Sequence, residues 1–187
     1  MEVQRKSLTQ LFVPICFETL FYMLAGMVDT LMLSSVSDQA VGAVGTANTY
    51  IGVFIIMFGV ISSGMVAVMT QNIGAGKPGI AYQARQLGLL FNAIIGVLMS
   101  VLLAFFSGNI LKIVSIAPAL LEPAETYLKI VGGACFLNAL IPIFSSYLRV
   151  FGYTKQSLFA SVVGNVINFV LNPVFLYVMN LGVMGVA

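Results

Sequence analysis

Five long apolar runs, separated by short polar stretches, constrain this 187-residue chain more than any other feature. Each run has 23 to 27 residues, whereas a helix needs about 20 apolar residues to cross the hydrocarbon core of a bilayer. Backbone groups inside lipid must be paired internally, so each run is predicted to be a helix. The runs, called here the first to fifth spans, are 11–33, 44–70, 87–111, 124–148 and 157–179. The sequence therefore predicts an all-α membrane protein.

Composition supports this class and excludes several functions. Hydrophobic residues make up 60% of the chain and charged residues 7%, against roughly 25% charged residues in soluble domains. The net charge of +2 and the scattered basic residues argue against a nucleic-acid partner. Histidine is absent from the sequence, which excludes a histidine metal site or proton relay. The sequence carries no hydrolytic or redox motif, so we expect neither an enzyme nor a cofactor.

The distribution of lysine and arginine predicts the orientation of the chain. If the N-terminus is cytoplasmic, six basic residues lie on the cytoplasmic side and two on the other, as the positive-inside rule requires. The cytoplasmic set is Arg5, Lys6, Lys77, Arg85, Arg149 and Lys155. We therefore expect a multi-pass protein of the cytoplasmic (inner) membrane, surrounded by lipid, with its N-terminus in the cytoplasm.

Two carboxylates, Glu18 and Asp29, lie inside the first span. A carboxylate at the centre of a membrane helix costs about 2.5–3.5 kcal/mol or more, so by default it marks an ion or substrate path. The two are eleven residues apart, nearly three turns, and share one helix face with Tyr22 between them. The alternatives are that Asp29 only reaches the outer interface and that Glu18 only packs against another helix. Pro14 in the same span predicts a kink.

The fifth span carries three asparagines on one helical face, Asn165, Asn168 and Asn172. Pro173 follows them and cannot donate to the carbonyl of Phe169, which frees a backbone oxygen. Amide oxygens, a free carbonyl and an acid from another helix together suit a small hard cation. A polar seam between two helices is the alternative interpretation of the same pattern.

An ordered set of short motifs resembles the multidrug and toxin extrusion (MATE) family over essentially the whole chain. The set comprises Pro14 with Glu18, Val28-Asp29-Thr30, the AVGAVG run at 40–45, Gln71 with 74–76, Arg85 with Gly88, Arg149 with Gly152, Asn168, Asn172-Pro173 and the LGV run at 181–183.

The resemblance implies one lobe of a two-lobe, twelve-helix transporter. Residues 1–187 would form the N-terminal lobe, with five complete transmembrane helices and the start of a sixth, and the C-terminal lobe would be a missing partner. The activity implied is secondary active antiport, exporting organic cations or drugs in exchange for Na⁺ or H⁺. A lipid-linked-precursor flippase of the same superfamily and a non-transporting membrane subunit are the alternatives.

The resemblance also implies a coupling-ion site between the first and fifth spans, at positions matched by Asp29, Asn168 and Asn172. One branch of the family has an acid where this chain has Asn172, which leaves Asp29 as the clear acid of the cluster. The amides favour Na⁺ over H⁺ slightly. Further candidates for substrate contact or gating are Pro14, Glu18, Tyr22 and Asn165.

Overall fold

The computed structural model describes residues 6–35, 37–179 and 181–185. Those residues form helices and short connections without a β-strand, which confirms the all-α prediction. The α-helices are α1 Leu8–Ser34, α2 Asp38–Gly74, α3 Pro78–Ile113, α4 Pro118–Gly133, α5 Cys135–Val150 and α6 Thr154–Pro173. A π-helical turn, Val174–Val178, continues α6, and a 3₁₀ turn, Gly182–Gly185, lies where the sixth predicted helix was expected to begin.

Four of these helices are long and apolar enough to cross a membrane: α1, α2, α3, and α6 together with its π turn. The α4–α5 pair makes a fifth span if its two halves are counted together, and they meet at a bend of 46°. The five predicted spans are therefore present within the described part of the chain, but two of them are not the continuous α-helices that the sequence suggested.

The fourth span, predicted as one helix over 124–148, is broken at Ala134. The backbone N–H of Phe136 donates to the Ser100 hydroxyl of α3 at 2.8 Å, so a side chain of another helix takes this donor at the break. Gly132 lets α3 approach closely, because a Cβ there would lie 2.6 Å from the Cβ of Leu103. Contact with α3 and the local glycines together account for the bend.

The fifth span also departs from a continuous α-helix, because α6 ends at Pro173 and the π turn follows. Within that turn the N–H of Met179 donates to the carbonyl of Val174 at 2.9 Å. Proline removes a backbone donor from the helical ladder, and a π turn is one way to re-pair the neighbouring groups. The irregularity begins two residues after Asn172.

Helices α2, α3, α4 and α5 form the tightly packed core of the lobe. Asn92 of α3 is fully buried and its amide donates to the carbonyls of Phe58 and Ala139, at 3.3 and 2.8 Å. It thereby joins α3 to α2 and α5 in one place. Close approach also depends on Gly96, where a Cβ would lie 2.6 Å from the Cβ of Ala139.

Helices α1 and α6 form a parallel pair that packs mainly on itself. At one end the Lys6 ammonium donates to the carbonyl of Gly152 at 2.6 Å. At the other end the hydroxyls of Ser35 and Tyr177 are 2.6 Å apart. Because both ends are joined, residues at matching depths on the two helices face each other, and the polar residues of the first and fifth spans lie along this seam.

Replacing Gly96 by alanine should destabilise the lobe by about 1–3 kcal/mol, because the new methyl group forces α3 and α5 apart. Gly59→Ala is the matched control, since a Cβ at Gly59 would meet no atom within 4 Å, and the helical gain of alanine should leave stability equal or higher. Unfolding in a denaturing detergent titration measures both. Equal stability of the two variants would contradict the close α3–α5 packing.

Candidate functional site

Asp29 lies in the second half of α1, facing the end of α6. Its Oδ1 accepts a hydrogen bond from the Asn172 side-chain nitrogen at 2.7 Å. The sequence suggested that the asparagine oxygens would face a cation, but here Asn172 presents its nitrogen to the acid and keeps its oxygen available. Among the described residues, the hydrogen-bond partner of Asp29 is this neutral amide. The ion pairs of the described residues do not include Asp29, so its carboxylate charge is not balanced by a cation of that part of the chain.

Asp29 separates two small cavities. One, of about 190 Å³, lies between α1 and α6 and is lined by Asn165 and Asn168. The other, of about 140 Å³, lies toward α2 and α4 and is lined by Asn48 and Tyr127. Asp29 therefore borders both cavities.

Asn48 and Tyr127 are residues that the sequence interpretation missed. The Tyr127 hydroxyl donates to the Asn48 side-chain oxygen at 3.1 Å, and Tyr127 is buried. Each is a polar side chain inside an apolar span, which is the signal that could have indicated them. Sequence alone could not show that they meet, because they belong to different helices.

The remaining asparagines of α6 occupy different positions. Asn168 lines the 190 Å³ cavity together with Asp29, although the described residues show no hydrogen bond between these two side chains. The side-chain nitrogen of Asn165 is buried and has no hydrogen-bond partner among the described residues. The structure thus brings Asn172 directly onto Asp29 and places the other two along the cavity wall.

Glu18 is the second carboxylate of α1, and its partners differ from those of Asp29. Its Oε1 is 2.9 Å from the Arg149 Nη2 and accepts a hydrogen bond from the Ser161 hydroxyl at 3.1 Å. The Ser157 hydroxyl lies 3.1 and 3.2 Å from the two carboxylate oxygens. Glu18 is only 8% exposed. The carboxylate therefore joins three helices, α1, α5 and α6, in one polar cluster.

A larger cavity, of about 580 Å³, opens between α1, α5 and α6. Glu18 and Arg149 lie in its wall, together with Tyr22, Asn165 and Asn168. The volume falls in the range of about 300–1,000 Å³ that is typical of small-molecule sites. The charged residues among those described in the wall are Glu18 and Arg149, so a neutral ion pair lies in an otherwise uncharged surface of apolar, hydroxyl and amide side chains.

Pro14 and Tyr22 complete the predicted candidates. Pro14 is buried, and α1 continues through it as one helix, so the predicted kink stays a prediction. Tyr22 is 67% exposed in the isolated lobe and lines the large cavity. Both lie on the part of α1 that also holds Glu18, on the side of the lobe that carries the basic loops.

Comparison with known proteins decides the family. The protein-family model described as MatE matches residues 14–174. The chain belongs to the MATE family. It is 35% identical over 185 residues to the uncharacterized transporter YisQ of Bacillus subtilis, covering 97% of this chain and 41% of that protein. It is 28% identical over 179 residues to the multidrug resistance protein PmpM of Pseudomonas aeruginosa, covering 95% of this chain and 37% of that protein.

The fold is similar to that of solved MATE-type transporters. A MOP superfamily transporter from Pyrococcus furiosus superposes with a TM-score of 0.86 at 21% identity, covering 95% of this chain and 39% of that one. The chain thus spans about two fifths of the proteins it matches, consistent with one lobe of a twelve-helix transporter. The family and fold predictions are confirmed, and the members of this family are multi-pass membrane transporters. The site residues and the coupling ion stay predictions.

Replacing Ser157 by alanine should lower stability by about 1–3 kcal/mol, because the buried Glu18 carboxylate then loses a donor to both oxygens. Ser63→Ala is the control, since the Ser63 hydroxyl is exposed and bonds only to the Gly59 carbonyl of its own helix. Unfolding in denaturing detergent measures the difference. A Ser157→Ala variant as stable as Ser63→Ala would show that the hydroxyl does not bear on Glu18.

Proposed function

We propose that this chain forms the N-terminal lobe of a secondary active antiporter, which exports organic cations in exchange for Na⁺ or H⁺. The observation that carries the proposal is Asp29, a carboxylate that has no cationic partner in the described part of the chain and is held by Asn172 between two cavities. The name of the relative PmpM supports multidrug export. The orientation stays as predicted, with a cytoplasmic N-terminus in the cytoplasmic membrane.

The coupling ion would bind at Asp29. Na⁺ prefers oxygen ligands, so its binding requires Asn172 to turn its amide and present oxygen in place of nitrogen, with Asn168 as a further oxygen from the same helix. Protonation of Asp29 removes the charge and weakens the charge-assisted bond from Asn172. In both cases the state of the site changes the bond that joins α1 to the end of α6.

This bond supplies a route from ion binding to the substrate cavity. The α1–α6 pair forms the wall between the Asp29 site and the 580 Å³ cavity, so a shift of one helix against the other changes both. Loading from outside would favour a contracted cavity and release of substrate, and substrate from the cytoplasm would favour the reverse. Pro14 is where α1 could bend during this change.

The alternatives receive less support. A flippase for lipid-linked precursors needs a cationic cavity for its anionic substrate, but Arg149 in this cavity is paired with Glu18. A non-transporting subunit of a membrane complex would bind no coupling ion. Its melting temperature would be the same in Na⁺ and in K⁺, whereas a ligand that binds the folded state raises that temperature.

Asp29→Asn should abolish ethidium efflux driven by a Na⁺ or H⁺ gradient, because the amide can neither take up a proton nor supply a negative charge. Efflux is measured in proteoliposomes that contain the intact protein under each gradient separately. Asp38→Asn, at the exposed start of α2, is the control for loss of one acid and should transport normally. Normal efflux by Asp29→Asn would remove Asp29 from the coupling site.

Asn172→Ala should raise the Na⁺ concentration for half-maximal efflux by about tenfold or more, since the ion then loses one of its proposed oxygen ligands. Asn168→Ala should have a smaller effect, because Asn168 does not contact the carboxylate directly. If the ion is H⁺, Asn172→Ala shifts the pH dependence of efflux instead. Equal effects of the two substitutions, or none, would contradict the geometry proposed for the site.

A further inference from the structure

The ion pair between Glu18 and Arg149 lies in the wall of the 580 Å³ cavity, and the coupling site proposed at Asp29 does not use it. A paired charge in a cavity wall can be a permanent cross-link between helices or a contact that a ligand replaces. Three observations on this cluster favour replacement: the unequal bonding of the two partners, their unequal reach, and the charge of the cavity.

The two partners are bonded very unequally. Both oxygens of Glu18 accept hydrogen bonds from hydroxyls of α6, so the carboxylate keeps partners when Arg149 leaves. Arg149 pairs through Nη2, whereas its Nε is buried and has no partner among the described residues. The carboxylate is thus a fixed site that keeps hydrogen-bond donors from α6, whereas the guanidinium bound to it has an unpaired Nε among the described residues.

The two side chains also differ in whether they can reach water, and again Arg149 is the partner that can leave. Glu18 is ten residues into α1, about 15 Å along the helix, and its short side chain cannot reach the interface. Arg149 is the last residue but one of α5, near the basic loops, and its side chain is 35% exposed against 10% for Glu18. A long arginine at a helix end can extend toward water while its stem stays in the apolar region.

The net charge of the cavity wall determines whether a charged ligand can bind there. With the ion pair formed, the wall is neutral, and a bound organic cation would add an uncompensated positive charge in a poorly solvated place. If Arg149 withdraws toward the cytoplasmic interface, Glu18 becomes the counter-ion of the ligand and the cavity is neutral again. One cation then replaces another at the same carboxylate.

We propose that Arg149 is a tethered cation which occupies Glu18 in the empty lobe, and that an organic cation entering the 580 Å³ cavity displaces it. The inference rests on the proposed function, because it assumes an organic cation as substrate. Displacement also frees α5 from the α1–α6 pair near the cytoplasmic end, so binding and loosening of the lobe occur together. Neutral molecules cannot displace Arg149, which makes the pair a charge filter.

Equilibrium binding tests this without any ion gradient. The probe is tetraphenylphosphonium, whose charge does not vary with pH, and the sample is the intact protein in detergent. Arg149→Gln should bind the probe about tenfold more tightly, because the competing cation is gone. Glu18→Gln should bind it about tenfold more weakly, because the counter-ion is gone. In the double variant Arg149→Gln should add no affinity to Glu18→Gln.

Two controls separate competition from a general effect. Arg85→Gln removes one positive charge from the same side of the lobe, but Arg85 packs over the rings of Tyr82 and Tyr147, so probe affinity should not change. Arg149→Lys keeps a tethered positive charge, so its probe affinity should lie closer to that of the unmodified protein than to that of Arg149→Gln. The melting temperature of each variant, measured without probe, shows whether a loss of binding only follows a loss of folded protein.

The outcomes are distinct. Tighter binding by Arg149→Gln that disappears in the double variant supports displacement. Unchanged or weaker binding by folded Arg149→Gln, or a gain of affinity that persists without Glu18, overturns it and leaves the ion-coupled export at Asp29 untouched. Absence of probe binding in every variant, the unmodified protein included, overturns both this inference and the organic-cation part of the proposed function.

Discussion

A carboxylate inside a membrane helix must find a partner, and Glu18 finds its partners on two other helices. Its ion pair with Arg149 and its hydrogen bonds from Ser157 and Ser161 join α1 to α5 and α6. Isolated burial of this charge would be strongly unfavourable, so α1 can lie where it does only if these residues face it. Together with the contacts of Lys6 with Gly152 and of Ser35 with Tyr177, this cluster holds α1 beside α6.

The same helix carries a second acid under opposite conditions. Asp29 has one neutral amide donor and borders two cavities, whereas Glu18 has a cation and two hydroxyls. The negative charge of Glu18 is therefore compensated within the lobe, whereas that of Asp29 meets no cation among the described residues. The same functional group is thus proposed to bind the coupling ion at Asp29 and to face the substrate at Glu18, because the neighbouring helices differ.

Much of this arrangement can be read from the sequence, and the exceptions have physical causes. Hydrophobic length predicted the spans, and helical periodicity placed Asn172 on the face that meets Asp29. The break at Ala134 could not be predicted, because it depends on Ser100 of α3 taking the N–H of Phe136. The contact of Tyr127 with Asn48 and the pairing of Glu18 likewise join distant parts of the chain, and a single sequence contains periodicity within helices but not the contacts between them.

Placing both acids on α1 has a thermodynamic consequence. If ion binding at Asp29 and ligand binding at Glu18 each favour a different position of the α1–α6 pair, then each ligand must weaken the affinity for the other by the same factor. That reciprocity is what exchange of one cation for another requires, and it needs no contact between the two sites. Hydrogen bonds lie at several depths along the pair, so a shift of one helix against the other at one site would also change the contacts at the other site.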